Sequence, residues 1–533
     1  MTPHDSETLL PETHGSETAA VRVPCLTILC HTDMRRVGDR ALLEALHAGR
    51  SVGLSRETPE FVGPRSGERA PLGSRYVSAS KPIELRSRPD GLEIRPYAGA
   101  RLTLNDTPVE GPRVVSHAEM RAGAVIVLAS RVALLLHTAE AERASKEPLG
   151  LIGESDAIEA LRRQISNVAD LDVSVLIRGE SGSGKELVAG AIWRASKRSK
   201  GPFEACNMSG VPEGNLGLSA LFGHVKGAFT GATARFRGLL ERNHGGTVFL
   251  DEIGACDGQA QDRLLRVLQD GLLAPLGAEQ AQRVDVRVLS ATDADLEARM
   301  ASGTFRAPLF HRLARYVIDV PPLAARRDDI ARLAAHFLRQ SLSEISESGR
   351  LDMTDEAAKP WFPADLMAAL VMHDWSGGNV RALANTIGRL VIDHRGRDAI
   401  DVASVKRTLA PRPPMRPEIP TDRASSPPDT QGAPSRRVIQ ARDLSRAEFL
   451  DAFRANDFSP TATAKALGRP KATIHSWMAQ FGLRLVKQIP EEELLSGFEA
   501  CGRNLSATAR RFEVSARALQ MRMKELGVDI TLD

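Results

Sequence analysis

Aromatic residues make up only 4% of this 533-residue chain, so its cores must rest on Leu, Val, Ala and Ile rather than on stacked rings. No stretch approaches the ~18 uninterrupted apolar residues that a membrane-spanning helix needs. Residues 1–20 are polar and acidic, and they lack the basic start and apolar segment of a secretory leader. They are expected to form a disordered tail. The five cysteines (Cys25, Cys30, Cys206, Cys256, Cys501) are scattered without zinc-ligand spacing and read as reduced thiols of a cytoplasmic protein. A strong charge excess is also missing. The net charge of +3 is too small to argue for nucleic acid by itself, so a local basic face would be needed.

What is present is an ordinary globular composition, 42% apolar and 26% charged, in a chain too long for one core. Residues 21–140 carry short segments of period two, such as Pro82–Arg86, Gly91–Arg95 and Arg101–Asn105, separated by Gly, Pro, Asp and Asn. Two apolar runs follow, Ala124–Leu128 and Arg131–His137, and the whole reads as a small β-sandwich. From 149 to 322 apolar strands alternate with helical stretches, as in an α/β sheet, and from 323 to 395 the pattern is helical. Residues 411–442 carry clustered prolines and read as a linker. In residues 443–533 Phe453 matches Phe498, Thr463 matches Thr508, Ala464 matches Ala509 and Met478 matches Met523, all at an offset of 45. Such a gapless repeat predicts two similar helical units.

Gly179, Glu180, Ser181, Gly182, Ser183, Gly184 and Lys185 spell a phosphate-binding loop between an apolar strand and a helical run that opens at Glu186. The glycines let main-chain N–H groups face phosphate oxygens, the helix N-terminus adds positive potential, and Lys185 supplies a charge to the β- and γ-phosphates. Glu186 stands where Ser or Thr would touch Mg2+. Further on, Gly245–Glu252 ends an apolar strand on two carboxylates: Asp251 is placed to hold Mg2+ through water, and Glu252 to polarise the attacking water. Both acids could instead cap the next helix, but together with the loop they read as an ATP-hydrolysing core.

These residues, with the string Leu221–Ala232, resemble the AAA+ domain of bacterial enhancer-binding proteins, the activators of sigma-54 RNA polymerase. That string holds an intact GAFTGA in Gly227, Ala228, Phe229, Thr230, Gly231 and Ala232, which the resemblance makes the sigma-54 contact, with Phe229 and Thr230 at its tip. It further implies that Asn207 holds the catalytic Glu, that Arg306 and Arg312 reach the neighbouring protomer's γ-phosphate, and that Thr292, Asp293 and Arg381 sense nucleotide. Fingers of this kind need a ring of subunits, taken as a hexamer, with a dimer as the inactive form. Asp293 departs from the family's Asn, Pro308 from an acid, and Ser376-Gly377-Gly378 from a Pro-Gly pair. An extra negative charge at Asp293 should weaken phosphate binding or slow turnover.

The N-terminal segment resembles a forkhead-associated (FHA) domain, which implies a phosphothreonine site with Arg56 and Ser78 on the phosphate and Asn105 on the peptide backbone. Ala79 stands where that family has a second Arg, and Asp106 where it has Gly. The C-terminal units resemble helix-turn-helix elements of the factor-for-inversion-stimulation type, whose second helices would enter the major groove with Lys471, Thr473 and His475, and with Arg517, Gln520 and Arg522. The fold class that follows is a multidomain chain: an FHA-like β-sandwich, a central α/β AAA+ P-loop ATPase with an α-helical lid, and an all-α tandem helix-turn-helix. Its expected partners are sigma-54 RNA polymerase, double-stranded DNA at an upstream enhancer-type site, further copies of itself and a phosphothreonine protein, with no membrane. Its cofactors would be ATP and Mg2+. An alternative from another class is a DNA-binding scaffold with an inactive nucleotide fold, switched by a phosphorylated partner.

Overall fold

The computed structural model describes residues 22–64, 66–140, 148–351 and 359–409, and in the C-terminal part 446–467, 474, 477–478, 486, 489–526 and 528. The expected tail (1–20) and linker (411–442) lie outside the described residues, as do Lys471, Thr473 and His475. Among the described residues no helix is long and apolar enough to cross a membrane. The chain divides into two compact units, 1–417 and 418–533.

Two antiparallel sheets open the first unit. One has eight strands in the order Arg69–Pro71, Glu60–Val62, Arg40–Leu42, Arg22–Cys30, Val132–Glu140, Ala124–Leu128, Leu102–Leu104, Thr107–Pro108. The other has four, Arg113–Ser116, Gly91–Arg95, Ile83–Arg88 and Val52–Leu54. Leu26, Ile28, Ile126, Leu134 and Leu136 from the first sheet meet Leu54, Leu85, Leu92 and Ile94 from the second in one core, which makes this a sandwich. The two apolar runs have a further cause. Val125, Val127, Ala133 and Leu135, which alternate with those inward residues, pack on the other face of the sheet against a helical subdomain. A strand covered on both faces has no solvent side, so its polar positions disappear.

The central sheet is parallel, in the order Phe203–Asn207, Thr247–Asp251, Arg287–Thr292, Val175–Arg178, Tyr316–Asp319. Its interior strands are covered on both faces by separate apolar clusters, one around Phe222, Leu250 and Leu309 and one around Ile165, Ile192 and Phe249. The helical subdomain that follows is built from Arg327–Glu344, Ala364–Met372, Asn379–Asp393 and Val402–Leu409. It runs past the expected end at 395: Val405 and Leu409 are buried in its core, so the short segment around Gly396 is a turn inside the subdomain and not its end.

The sandwich is tied to this subdomain and to the helix Asp156–Ala169 by charge as well as by apolar contact. Arg40 pairs with Asp328, Arg22 with Asp156 at 2.9 Å, and Lys406 with Asp106 at 2.6 Å. Next to Asp328, the fully buried Asp329 accepts hydrogen bonds from the main-chain N–H groups of Glu154 and Ser155 and from the Ser155 hydroxyl. One carboxylate thereby joins the helical subdomain to the segment that enters the α/β layer.

In the C-terminal unit the helices Arg446–Ala455 and Pro460–Leu467 precede Glu491–Ala500, Leu505–Arg511 and Ala516–Glu525. Four of the matched pairs are buried, Phe453 and Phe498, Thr463 and Thr508, Ala464 and Ala509, and Met478 and Met523, whereas in a further pair Ala462 is half-buried and Ala507 exposed. The repeat therefore records a core built twice, each copy with its own apolar cluster.

Inside the sandwich the buried His137 shares a 2.8 Å hydrogen bond with the Thr27 hydroxyl. Burial, and then the charge of Arg40, hold its pKa down at about 3, against an ordinary value of 6.5. The folded state keeps this ring neutral, so its contribution is complete above pH 6.5 and is lost as the pH falls toward 3. Between pH 7.5 and 5 the native sandwich should lose about 2 kcal/mol relative to a His137→Gln variant. Protease resistance of the intact chain in graded urea, read by the sandwich fragments released, checks this.

Candidate functional site

The loop Gly179–Gly184 leaves the strand Val175–Arg178 and enters the helix Lys185–Arg194. Lys185 is almost fully buried. Its ammonium donates to the carbonyls of Gly179 (2.9 Å) and Glu180 (3.4 Å) and lies 3.8 Å from a Glu252 oxygen. Ser183 Oγ is buried with no hydrogen-bond partner among the described residues, a polar atom turned into the loop and available to a ligand. Gly182, at φ +76°, must be glycine for two reasons: that conformation, and the carbonyl oxygen of Gly378, which would lie 2.1 Å from a Cβ there.

Asp251 closes the strand Thr247–Asp251 and Thr292 closes Arg287–Thr292, so parallel pairing delivers both to the edge where the loop begins. Glu252 follows in a left-handed conformation at φ 53°, a strained geometry of the kind that persists where the surroundings impose it. Its carboxyl pKa is pushed above the ordinary range, first by burial, then by a hydrogen bond with Asp293 and by that group's charge, while Lys185 acts in the opposite direction. Asp293 therefore sits beside Glu252, a carboxyl where a neutral amide would leave Glu252 easier to ionise. Asn207 lies opposite Asp251 on the neighbouring strand, and its Oδ1 accepts from Ser209 N at 2.9 Å. Among the described residues no three His, Cys, Asp or Glu side chains gather as a self-sufficient metal site.

The helical subdomain closes over this loop. Arg381 N donates to Gly182 O at 3.3 Å and its guanidinium to Ser181 Oγ at 3.4 Å. Two residues that sequence reasoning passed over do as much. Asn379 donates to Glu180 Oε2 at 2.9 Å and to Ser181 O at 3.2 Å while accepting from Leu323 N at 2.8 Å, and buried Arg326 donates to Ser183 O at 3.1 Å. Only the sequence position of Asn379, two residues before Arg381, hinted at this. Glu186 occupies the first turn of the lysine helix, where its charge suits the helix N-terminus.

Arg306 is the N-cap of the short helix Ala307–Leu313 and Arg312 lies in its last turn; both are exposed. Arg306 pairs with Asp262 at 2.7 Å, each side chain about half exposed. Gly227–Ala232 forms a closed tip, with Gly227 N donating to Ala232 O at 2.8 Å and Ala232 N to Phe229 O at 2.9 Å; Thr230 is exposed and Phe229 half-buried.

In the sandwich the structure brings Arg56 and Ser78 together, with Arg56 N donating to Ser78 O at 3.0 Å. The Arg56 guanidinium, however, donates to the carbonyls of Ser74, Val77 and Arg75, and so clasps its own loop. Among the described residues Asn105 shares no hydrogen bond with them. It sits at φ 47° in the tight turn between Leu102–Leu104 and Thr107–Pro108, and its Oδ1 accepts from Val125 N at 2.8 Å. In the C-terminal unit Arg517, Gln520 and Arg522 share the helix Ala516–Glu525, which Ser515 caps, and Gln520 is exposed.

Residues 151–319 match the family model of a sigma-54 interaction domain, and residues 324–419 that of an AAA+ ATPase lid domain. The DNA-binding transcriptional regulator NtrC of Escherichia coli (strain K12) is 44% identical over 250 residues, 47% of this chain and 51% of that protein. The chain thus spans about half the length of NtrC. The anaerobic nitric oxide reductase transcription regulator NorR of Salmonella dublin is 36% identical over 397 residues, 72% of this chain and 75% of its own length. Among solved structures, NtrX from Brucella abortus in complex with ATP aligns over 71% of this chain and 70% of its own, at 30% identity and a TM-score of 0.42.

Proposed function

The chain belongs to the family of sigma-54-dependent enhancer-binding activators, and on that footing we propose that it is a cytoplasmic ATPase whose turnover remodels sigma-54 RNA polymerase into the open complex. The observation that carries this reading is the convergence of Lys185, Asp251 and Glu252 on one sheet edge, with Thr230 exposed on a separate loop of the same layer. In it, the phosphates of ATP take the place of the Gly179 and Glu180 carbonyls as partners of Lys185, and Ser183 Oγ gains a phosphate contact. Asp251 would hold Mg2+ through water, and the ion would offset charge on the β- and γ-phosphates. Glu252 orients the attacking water. Arg381, Asn379 and Arg326 report the state of the loop to the lid. Arg306 and Arg312, exposed on the surface, act on the γ-phosphate of the adjacent protomer, so hydrolysis needs a closed ring, taken as a hexamer.

The tandem helical units anchor the ring on upstream double-stranded DNA. The exposed Gln520 and the basic last turn of the helix Ala516–Glu525, with Arg522 and Lys524, support this for the second unit. For the sandwich, the loop end that holds Arg56 and Ser78 is the candidate phosphothreonine site: the Ser78 hydroxyl accepts from Lys81 N at 2.9 Å and keeps its own proton for a phosphate. Asn105, whose Oδ1 accepts from Val125 N, is assigned the peptide backbone through its amide Nδ2.

Glu252→Gln should lower ATP turnover by about 10²–10⁴-fold while nucleotide binding persists. Thr230→Ala should keep turnover within about twofold and abolish open complexes on a sigma-54 promoter, because it removes a partner contact and leaves the catalytic edge intact. Purified protein tested for phosphate release and for promoter opening checks both. No turnover in the unmodified protein would transfer the reading to an inactive scaffold, with the carboxyl of Asp293 beside Glu252 as its physical reason. Arg56→Ala should weaken binding of a phosphothreonine peptide by at least tenfold, measured by fluorescence anisotropy; binding unaffected by the change would remove the sensor role.

A further inference from the structure

The loop that carries Gly227–Ala232 is fastened very unevenly. Its two arms are locked by main-chain bonds: His224 N donates to Phe236 O and Phe236 N to His224 O, each at 3.0 Å. A second turn bolts the ascending arm, with Val225 N donating to Leu276 O at 3.0 Å and Leu276 N to Gly223 O at 2.9 Å. Beyond these bonds the main-chain hydrogen bonds described for the tip stay within residues 225–233, with Ala228 N donating to Val225 O at 3.2 Å. What holds it down is side-chain contact.

That contact centres on His224. Its ring is fixed from below by a 2.6 Å hydrogen bond between Nδ1 and the hydroxyl of Ser219, on the helix Asn215–Phe222. On one side it stacks with Phe236, at 5.8 Å and 19°. On the other it receives Phe229 edge-on, at 5.0 Å and 67°. Beside it, Gly277 at φ +72° leaves no room for a side chain, because a Cβ would lie 2.8 Å from that of Ala228. The tip thus rests on an aromatic seat and against a bare glycine, while its arms are rigid.

We propose that His224 is a positioning residue for the partner-contact loop: its ring, held between Ser219 and Phe236, is the seat on which Phe229 is stowed and from which it must rise to meet the sigma subunit. The seat sets how often the tip stands free when the nucleotide site is at rest. An edge-to-face aromatic pair is worth about threefold to tenfold in such an equilibrium. This inference rests on the reading of Gly227–Ala232 as the sigma-54 contact, but the stowing itself is measurable without sigma-54.

The test uses hydrogen exchange by mass spectrometry on the intact, nucleotide-free protein, with sigma-54 binding measured in parallel. His224→Ala should speed exchange of residues 227–232 by about threefold to tenfold. His224→Phe, which restores a ring at the seat, should return it toward the native rate, and ATP turnover should stay within about twofold in both. Ser219→Ala, which only frees the ring to turn, should give a smaller rise in the same peptide and guards against misfolding of the alanine variant. The same order should appear in sigma-54 binding at rest, strongest for His224→Ala. Unchanged exchange in His224→Ala and Ser219→Ala, or a rise that His224→Phe fails to reverse, overturns the seat. Faster, ring-reversible exchange with no sigma-54 binding by any form, native protein included, upholds the seat and sinks the partner assigned to the loop.

Discussion

The ammonium of Lys185 is the charge around which the central layer is arranged. Buried at a helix N-terminus, it has exchanged water for two loop carbonyls, and a carboxylate stands within 4 Å. A cation removed from water in this way is stable only with acceptors on several sides. Here they are the carbonyls of Gly179 and Glu180 and the carboxylate of Glu252, and parallel strand pairing brings Glu252 close, because it carries the neighbouring strand ends Asp251 and Thr292 to the edge where the loop leaves Arg178. The strain at Glu252 and the crowding of its carboxyl by Asp293 are the cost of gathering acids at that edge.

The other domains are fastened to this edge through the lid. Asn379 and Arg381 reach the phosphate loop from one end of a lid helix, while Asp328 and Asp329 at the start of another reach the sandwich and the segment before the helix Asp156–Ala169. Burial pushes the Asp329 pKa up to about 6, which marks a carboxyl that keeps its place through three donated hydrogen bonds rather than through solvent. Movement of the lid on nucleotide exchange would therefore be felt in the sandwich directly, through the apolar face around Val127 and Leu135 and through Arg40.

Much of this was legible from local pattern. The phosphate loop, the acidic strand end and the GAFTGA string are contiguous, and contiguous chemistry survives reading in one dimension. So do the buried repeat pairs Phe453 and Phe498, and Thr463 and Thr508, since a core built twice leaves the same apolar spacing twice. The sandwich was visible in its alternation, and the unbroken runs at Val125 and Ala133 were visible as apolar, but not the reason for them, which is a lid more than two hundred residues away in the chain. Asn105 reads as a ligand residue in the sequence, and its place in a left-handed turn, with Oδ1 bonded to Val125 N, is a contact that one dimension does not show. Arg326 and Asn379 were silent, because an arginine or an asparagine on a helix end carries no sign of which distant loop it will meet.

If nucleotide at the Lys185 edge governs the loop Gly227–Ala232 as proposed, binding of sigma-54 depends on the nucleotide state. The most direct measurement titrates fluorescently labelled sigma-54 with the intact protein in the nucleotide-free state, with ADP, and with ADP and aluminium fluoride as a mimic of the transition state. The account predicts saturable binding that is strongest with the mimic. Absence of binding in every one of these states, in a protein that still hydrolyses ATP, would contradict it.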